Sequence, residues 1–193
     1  MTKVIFDISM SLDGYINAQN PRPEAGLGDG GERLHEWAFN SEDAYNKELV
    51  GRMIPSLGAM IAGRNTYDLS MPHWGANGPT GPARVPIVVL THEVPREVPK
   101  DHVYTFVNSV AVAAEKAKQL AGGKEIAVMG GGDIARQFLL AGLLDEISIH
   151  LVPVLFGGGT RLLSEFVDGH IQLEAIEVVN TKEAVHLRFR VVK

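Results

Sequence analysis

The sequence predicts an α/β domain in three layers, α/β/α. Its mixed sheet is mostly parallel and turns antiparallel toward the C-terminus. Three observations carry this. Short apolar runs alternate with helix-like stretches along most of the chain, the order that puts helices on both faces of a largely parallel sheet. The run "IVVLTH" (87–92) opens on four apolar residues in a row, as expected for a strand covered on both faces. The segments "EISIHLV" (146–152) and "AVHLRFRVV" (184–192) alternate instead, which marks strands with one face less buried, typically antiparallel.

The elements follow in order. "VIFDI" (4–8) reads as a buried strand near the sheet centre, and "SLDGYIN" (11–17) follows with Asp13-Gly14 as a turn signal. The Gly- and Pro-rich stretch 18–32 reads as a long loop, a length that in compact domains is often functional. "ERLHEWAF" (32–39) has room for two helical turns. "SEDAYNKELVGRM" (41–53) reads as a helix capped by Ser41, with acids in its first turn. "GAMIAG" (58–63) reads as a strand that runs directly into a helix at "RNTYDLS" (64–70), and 71–86 as a second Gly/Pro-rich loop. After the strand at 87–92 comes another, "VYTFV" (103–107). A helix follows, with Ser109 as cap, an apolar stripe of Val110, Ala113, Ala114, Ala117 and Leu120, and a stop at Gly122. "EIAVM" (125–129) reads as a strand and "DIARQFLLAG" (133–142) as a helix with Ile134, Phe138 and Leu139 inward. In the last strand Val185, Leu187, Phe189 and Val191 share one face.

Composition narrows the function classes. The 193 residues, 45% hydrophobic and 21% charged, suit a single domain, 1–193. The net charge of −5 and the lack of a basic run argue against a nucleic-acid partner. No cysteine is present, which excludes disulfides, thiolate metal sites and cysteine nucleophiles and fits a cytoplasmic location. Lys3 and Asp7 interrupt the apolar start, so no secretory leader is read there. No window reaches the length of a membrane span, and no membrane partner is expected. The seven histidines form no H-x-H or H-E-x-x-H pair, so no metal is expected.

Two strand ends share a chemistry. "AVM" runs into Gly130-Gly131-Gly132 and a helix, and "AMIA" into Gly63-Arg64-Asn65-Thr66 and a helix. A helix N-terminus offers free N–H groups and the positive end of a dipole, so each is a ready anion site. Bare glycine lets a diphosphate approach the backbone, Arg64 adds a cation and Thr66 a hydroxyl. Two such sites at neighbouring strand ends suit a dinucleotide. A purely structural strand-glycine-helix turn is the other reading. The pattern is neither the G-x-G-x-x-G fingerprint nor a P-loop.

Taken together, "SMSLDGYIN", "MIAGRNTYD", "VVLTHE", "AVMGGGDIARQFLLAGLLDEISIHLVPVLFGGGTRLL" and "AVHLRF" resemble the dihydrofolate reductase superfamily. Within it they resemble the reductase domain of riboflavin biosynthesis and its stand-alone relatives. The resemblance covers nearly the whole chain. It implies a dihydrofolate reductase-like sheet, NADPH as cofactor, a homodimer and hydride transfer to a small pyrimidine- or pterin-like heterocycle, as in 5-amino-6-(5-phosphoribosylamino)uracil reductase. True dihydrofolate reductase activity and a non-catalytic NADP(H)-binding module are the alternatives. On this resemblance Gly63, Arg64, Asn65 and Thr66 hold the adenosine phosphate and diphosphate, and Leu90, Thr91 and His92 the adenosine side. Gly130, Gly131, Gly132, Asp133 and Ile134 lie under the diphosphate and nicotinamide, and Ser9 and Ile16 line the nicotinamide.

The substrate half departs from the pattern. Tyr15 stands where riboflavin-type domains usually carry a basic residue after "SLDG", and "YDLSMPHW" stands in place of "DDP…L..R". Folate reductases place a carboxylate on the helix after the first loop, the region of Glu32 and Glu36. Trp37 and Trp74 either wall a planar ligand there or pack as ordinary buried tryptophans. Glu36 and Trp37 are the substrate candidates. Asp13 reads either as the carboxylate that orients or protonates substrate, or as a turn residue bonding its own backbone.

Overall fold

The computed structural model describes residues 2–163 and 170–193. Eight strands form one sheet: β1 Val4–Ser11, β2 Leu57–Gly63, β3 Ile87–Leu90, β4 Tyr104–Val107, β5 Glu125–Met129, β6 Glu146–Val152, β7 Leu173–Asn180 and β8 Val185–Val191. They lie in the order β4-β3-β2-β5-β1-β6-β8-β7. The first six pair in parallel, and β8 runs antiparallel to both β6 and β7. The expected mixed sheet is therefore present, with 146–152 and 185–191 paired as neighbours. The helices are α1 Glu36–Phe39, α2 Ala44–Ser56, α3 Arg64–Trp74, α4 Val110–Ala121 and α5 Gly132–Leu140.

Strand alternation sorts the core into two sides. Val4, Phe6, Ile61, Val88, Ile126 and Val128 point to the side covered by α4 and α5. Fully burying side chains such as Phe6 and Phe138 contributes roughly 1.5–3 kcal/mol each. The alanines of α4 bring that helix close. A Cβ on Gly58 would meet the Ala121 backbone, its carbonyl carbon only 2.7 Å away. On the other side α3 covers Met60, Ala62, Ile87 and Val89 through Tyr67, while Leu34, Trp37 and the α2 residues Leu49, Val50 and Met53 cover Val152 and Ala184. These make the two outer layers. Among the described residues no helix is long and apolar enough to cross a membrane.

Four local expectations change. Ser41 does not cap α2. Asp43 does, accepting from the amides of Tyr45 and Asn46, while the Ser41 hydroxyl donates to Glu183. Residues 71–74 are not loop but the last turn of α3, which continues through Pro72 because Tyr67, Met71 and Trp74 share one face against the core. The segment β7 was not read as a strand. It is an edge strand with most side chains exposed, so its alternation buries little. In β8 the face opposite Val185, Leu187, Phe189 and Val191 is also covered, since His186 is buried at 4% exposure. By contrast α4 is as expected: Ser109 accepts from the Val112 amide and Gly122 takes the left-handed conformation after the last turn.

Candidate functional site

The site is built where β3, β2 and β5 end side by side. Register sets this: Gly63 lies opposite Leu90, and Ala62 opposite Met129. Each of β2 and β5 then turns into a helix, α3 or α5, and neither helix has a side-chain cap. Elsewhere α2 and α4 are capped by Asp43 and Ser109. The first-turn N–H groups of α3 and α5 thus have no capping side chain, next to each other and with their dipoles' positive ends on the same rim.

The three consecutive glycines have three different causes. Gly130 adopts φ +104°, and a Cβ there would press on the Thr66 side chain, its Cβ 3.0 Å away and its hydroxyl nearer. A Cβ on Gly132 would strike the Leu162 carbonyl, whose carbon is 2.9 Å away. Only Gly131, at φ −66°, faces open space, with nothing within 4 Å of a Cβ among the described residues. Two of the three are therefore required by the chain's own packing. One is left bare.

Arg64 is held as a fixed cation. Its Nε donates to both carboxylate oxygens of Asp68 at 2.7 Å, and its Nη1 to the Glu93 carbonyl at 2.8 Å. Nη1 also lies 3.5 Å from the Thr91 hydroxyl, which itself donates to the Glu93 carbonyl at 2.7 Å. These contacts leave Nη2 without a hydrogen-bond partner among the described residues. The predicted residues 63–66, 90–92 and 130–133 are thus gathered on one rim. Asn65 and His92 are exposed there, and Asp133 accepts from Gln137 at 2.7 Å on the outer face of α5. Ile134 points into the core instead, at 4% exposure.

The first loop is strapped to the segment after β6. The Ile16 amide donates to the Thr160 carbonyl, the Leu162 amide to the Gly14 carbonyl, and the Thr160 amide to the Asn17 side chain at 2.7 Å. Asp13 belongs to this strap. It accepts from the Ser11 hydroxyl at 2.6 Å and from the amides of Gly157 and Phe156 at 2.8 and 3.2 Å. Those donors, the Ser11 hydroxyl foremost, hold its carboxyl at about 2. A carboxylate so held does not donate protons at neutral pH, so the geometry supports the turn reading. Tyr15, in the position usually basic, instead stacks under Arg161 with the guanidinium 4.8 Å from its ring centre.

Ser9 is buried and accepts from the Trp37 indole at 2.9 Å. Trp37 is therefore packed rather than walling an open cleft. Glu36 pairs with Arg33 at 2.6 Å and borders a separate hollow with Val152, Lys182 and Glu183. The structure does not bring it to the glycine rim. Sequence reasoning passed over Asp7, His150 and His186. Asp7 sits on β1 one step beyond the Phe6–Val128 pair, with 29% of its side chain exposed. The two histidines face each other across the β6–β8 register. The signal was a charged residue in the middle of a central strand.

Comparison with known proteins agrees with this fold. The family model described as the RibD C-terminal domain matches residues 2–187. A putative riboflavin biosynthesis protein from Shewanella sp. PV-4 is similar over 100% of both chains, at 22% identity and a TM-score of 0.71. A diaminohydroxyphosphoribosylaminopyrimidine deaminase/5-amino-6-(5-phosphoribosylamino)uracil reductase from Thermotoga maritima is 13% identical. The likeness covers 99% of this chain and 57% of that one, with a TM-score of 0.68. Dihydrofolate reductase from Enterococcus faecalis, complexed with NADP(H), is 12% identical over 99% of this chain and 97% of its own, with a TM-score of 0.58. At these identities the likeness is one of fold.

Proposed function

We propose that this chain, which belongs to the RibD C-terminal domain family, is an NADP(H)-dependent reductase. Its substrate is a small pyrimidine- or pterin-like heterocycle. The observation that carries this reading is the pair of helix N-termini without side-chain caps on one rim, with Gly131 open above one and Arg64 fixed at the other. Backbone N–H donors, a bare glycine and a guanidinium with one edge spare fit the phosphates of a dinucleotide.

When bound, the cofactor supplies hydride, and the protein supplies binding and orientation. The first turns of α3 and α5 hold phosphate oxygens through their amides. Arg64, with Nη2 spare, would hold the adenosine phosphate and so would favour the 2′-phosphorylated cofactor. Thr91 and His92 would hold the adenosine side, and Gly130 would lie under the diphosphate and nicotinamide. The chain works as one domain, 1–193, and pairs as a homodimer through the side of the sheet that ends in β7, whose Leu173, Ile176 and Val178 are exposed.

The test is NADPH binding by calorimetry, then NADPH oxidation with 5-amino-6-(5-phosphoribosylamino)uracil and with dihydrofolate. Turnover of the pyrimidine supports the reading, and turnover of dihydrofolate alone makes the protein a folate reductase. Binding without turnover on either makes it a non-catalytic module. Failure to bind NADPH refutes the reading.

A further inference from the structure

Beneath α1 and α2 the sheet carries polar side chains in a packed interior. His150, His186 and Asn46 are 2%, 4% and 1% exposed. Their hydrogen bonds run in one direction, and that direction can be read. The Asn46 amide nitrogen donates to the Ser41 hydroxyl at 2.9 Å and to the Glu183 carboxylate at 3.2 Å. A carboxylate only accepts, so the other end of the amide, Oδ1, faces His186 Nε2 at 2.8 Å. Hence His186 Nε2 carries a hydrogen.

Burial first, then the neighbouring His150, lowers the His186 pKa to about 4. A neutral His186 protonated on Nε2 has a bare Nδ1. That atom lies 2.8 Å from His150 Nδ1, which must then carry the hydrogen between them. What remains is His150 Nε2. It is buried without a well-formed hydrogen bond among the described residues and sits 3.4 Å from Asp7 Oδ1. A bare nitrogen and a carboxylate oxygen are both acceptors and repel. A proton on Nε2 makes them a charge-assisted pair. The Trp37 ring, centred 4.1 Å from that of His150, offers its π-system to the resulting cation.

The chain has one end on the site. Asp7 is part exposed and follows Phe6, whose partner Val128 stands two residues before Gly130. We propose that Asp7 and His150 form a proton-donating pair, in which Asp7 presents the proton of His150 Nε2 to a ring or imine nitrogen of a substrate bound beside Met129 and Gly130. This rests on the reductase reading. Hydride arriving from a dihydronicotinamide at the carbon of a C=N bond brings two electrons and one hydrogen. The nitrogen then needs one proton. An N–H bond forms, the pair is left as aspartate and neutral imidazole, and solvent returns the proton at the exposed edge of Asp7. Asp7 is the catalytic member and His150 the positioning member.

Several charged groups surround the pair. Arg188 from β8 acts on Asp7, and His35 lies close enough to feel both Asp7 and His150. Asp43 and Glu177 act on His186, and Tyr45 packs on its ring at 5.3 Å. Burial works to raise the Asp7 pKa, but the nearby His150, Ser148 and Arg188 outweigh it, so Asp7 rests ionised.

The test needs no substrate. Histidine side-chain 15N NMR on the purified protein should show His186 as the neutral Nε2–H tautomer at neutral pH. His150 should carry its hydrogen on Nδ1. A His150 with bare Nδ1 overturns the pair. With an acceptor that wild-type protein reduces, Asp7→Asn should bind NADPH normally and lose about 10²–10⁴-fold in hydride-transfer rate, with a flattened pH profile. An unchanged rate and profile also overturn it. Absence of NADPH binding to wild type overturns the reductase reading instead, and the NMR result separates the two failures.

Discussion

Replacing Gly131 and Gly132 one at a time separates a ligand cradle from a packing contact. Gly131 has φ −66° and ψ 162°, which any residue adopts, and a Cβ there meets nothing within 4 Å among the described residues. Gly131→Val therefore costs the fold little. A stiffer unfolded chain returns about 0.4–1 kcal/mol, and the loss of a good N-cap type takes back about as much. Net stability should stay within about 1 kcal/mol of wild type, while the branched side chain fills the space over the helix N-terminus. NADPH affinity should fall at least tenfold, about 1.4 kcal/mol. Gly132→Ala does the reverse. Its Cβ meets the Leu162 carbonyl, and forcing backbone apart in a packed site costs about 1–3 kcal/mol. At about 2–4 °C per kcal/mol for a chain of this size, the melting temperature drops measurably. Thermal melts and calorimetric titration with NADPH on both variants decide the matter. A Gly131→Val protein that binds like wild type refutes the cradle, and a Gly132→Ala protein as stable as wild type refutes the packing account.

The other expectations are direct. Arg64→Ala should weaken NADPH more than NADH, by the roughly 1.5–3 kcal/mol of a charged hydrogen bond; equal losses by calorimetry would remove Arg64 from the 2′-phosphate. The Asp13 carboxyl is depressed from 3.8 to about 2, so its stabilisation is full above the higher value and is lost as pH falls through the lower. Melts at pH 2–5 should show wild type losing stability and Asp13→Asn changing less. His186 is lowered from 6.5 to about 4, so the unfolded chain binds the extra proton between those values and stability falls as pH drops across that window. Conversion of His186 to Gln should flatten that stretch of the melt profile. Light scattering should give a dimer mass that Val178→Lys reduces to a monomer, since an apolar edge strand needs cover.

What could be read from the sequence was what is decided locally. The cap and stop of α4 lie within its own fourteen residues, Ser109 to Gly122, so the pattern contained the answer. The strand runs other than β7, and their parallel or antiparallel character, followed from which positions were apolar. Distant partners decided the rest. Ser41 and Asp43 are equally good cap types, and the choice went to Asp43 while the Ser41 hydroxyl bonds Glu183, 142 residues away. Pro72 reads as a breaker, yet Met71 and Trp74 hold the helix onto the core. The triple glycine was visible as a demand for bare backbone, but Thr66 and Leu162 are nowhere near it in sequence. His150 and His186 look scattered until the β6–β8 register places them opposite each other.

The strap joining 14–17 to 160–162 has a consequence for motion. Gly132 is wedged against Leu162, and Leu162 is bonded to Gly14. The glycine turn, the first loop and the segment after β6 are thereby one cooperative unit, although the chain encodes them in three separate places. Such units open together and share one opening free energy. The amides of Ile16, Thr160 and Leu162 should then exchange with deuterium at a common rate. Anything seated over Gly131 that steadies the α5 turn should slow all three, including the amide of Ile16 on a loop whose hydrogen bond runs to Thr160.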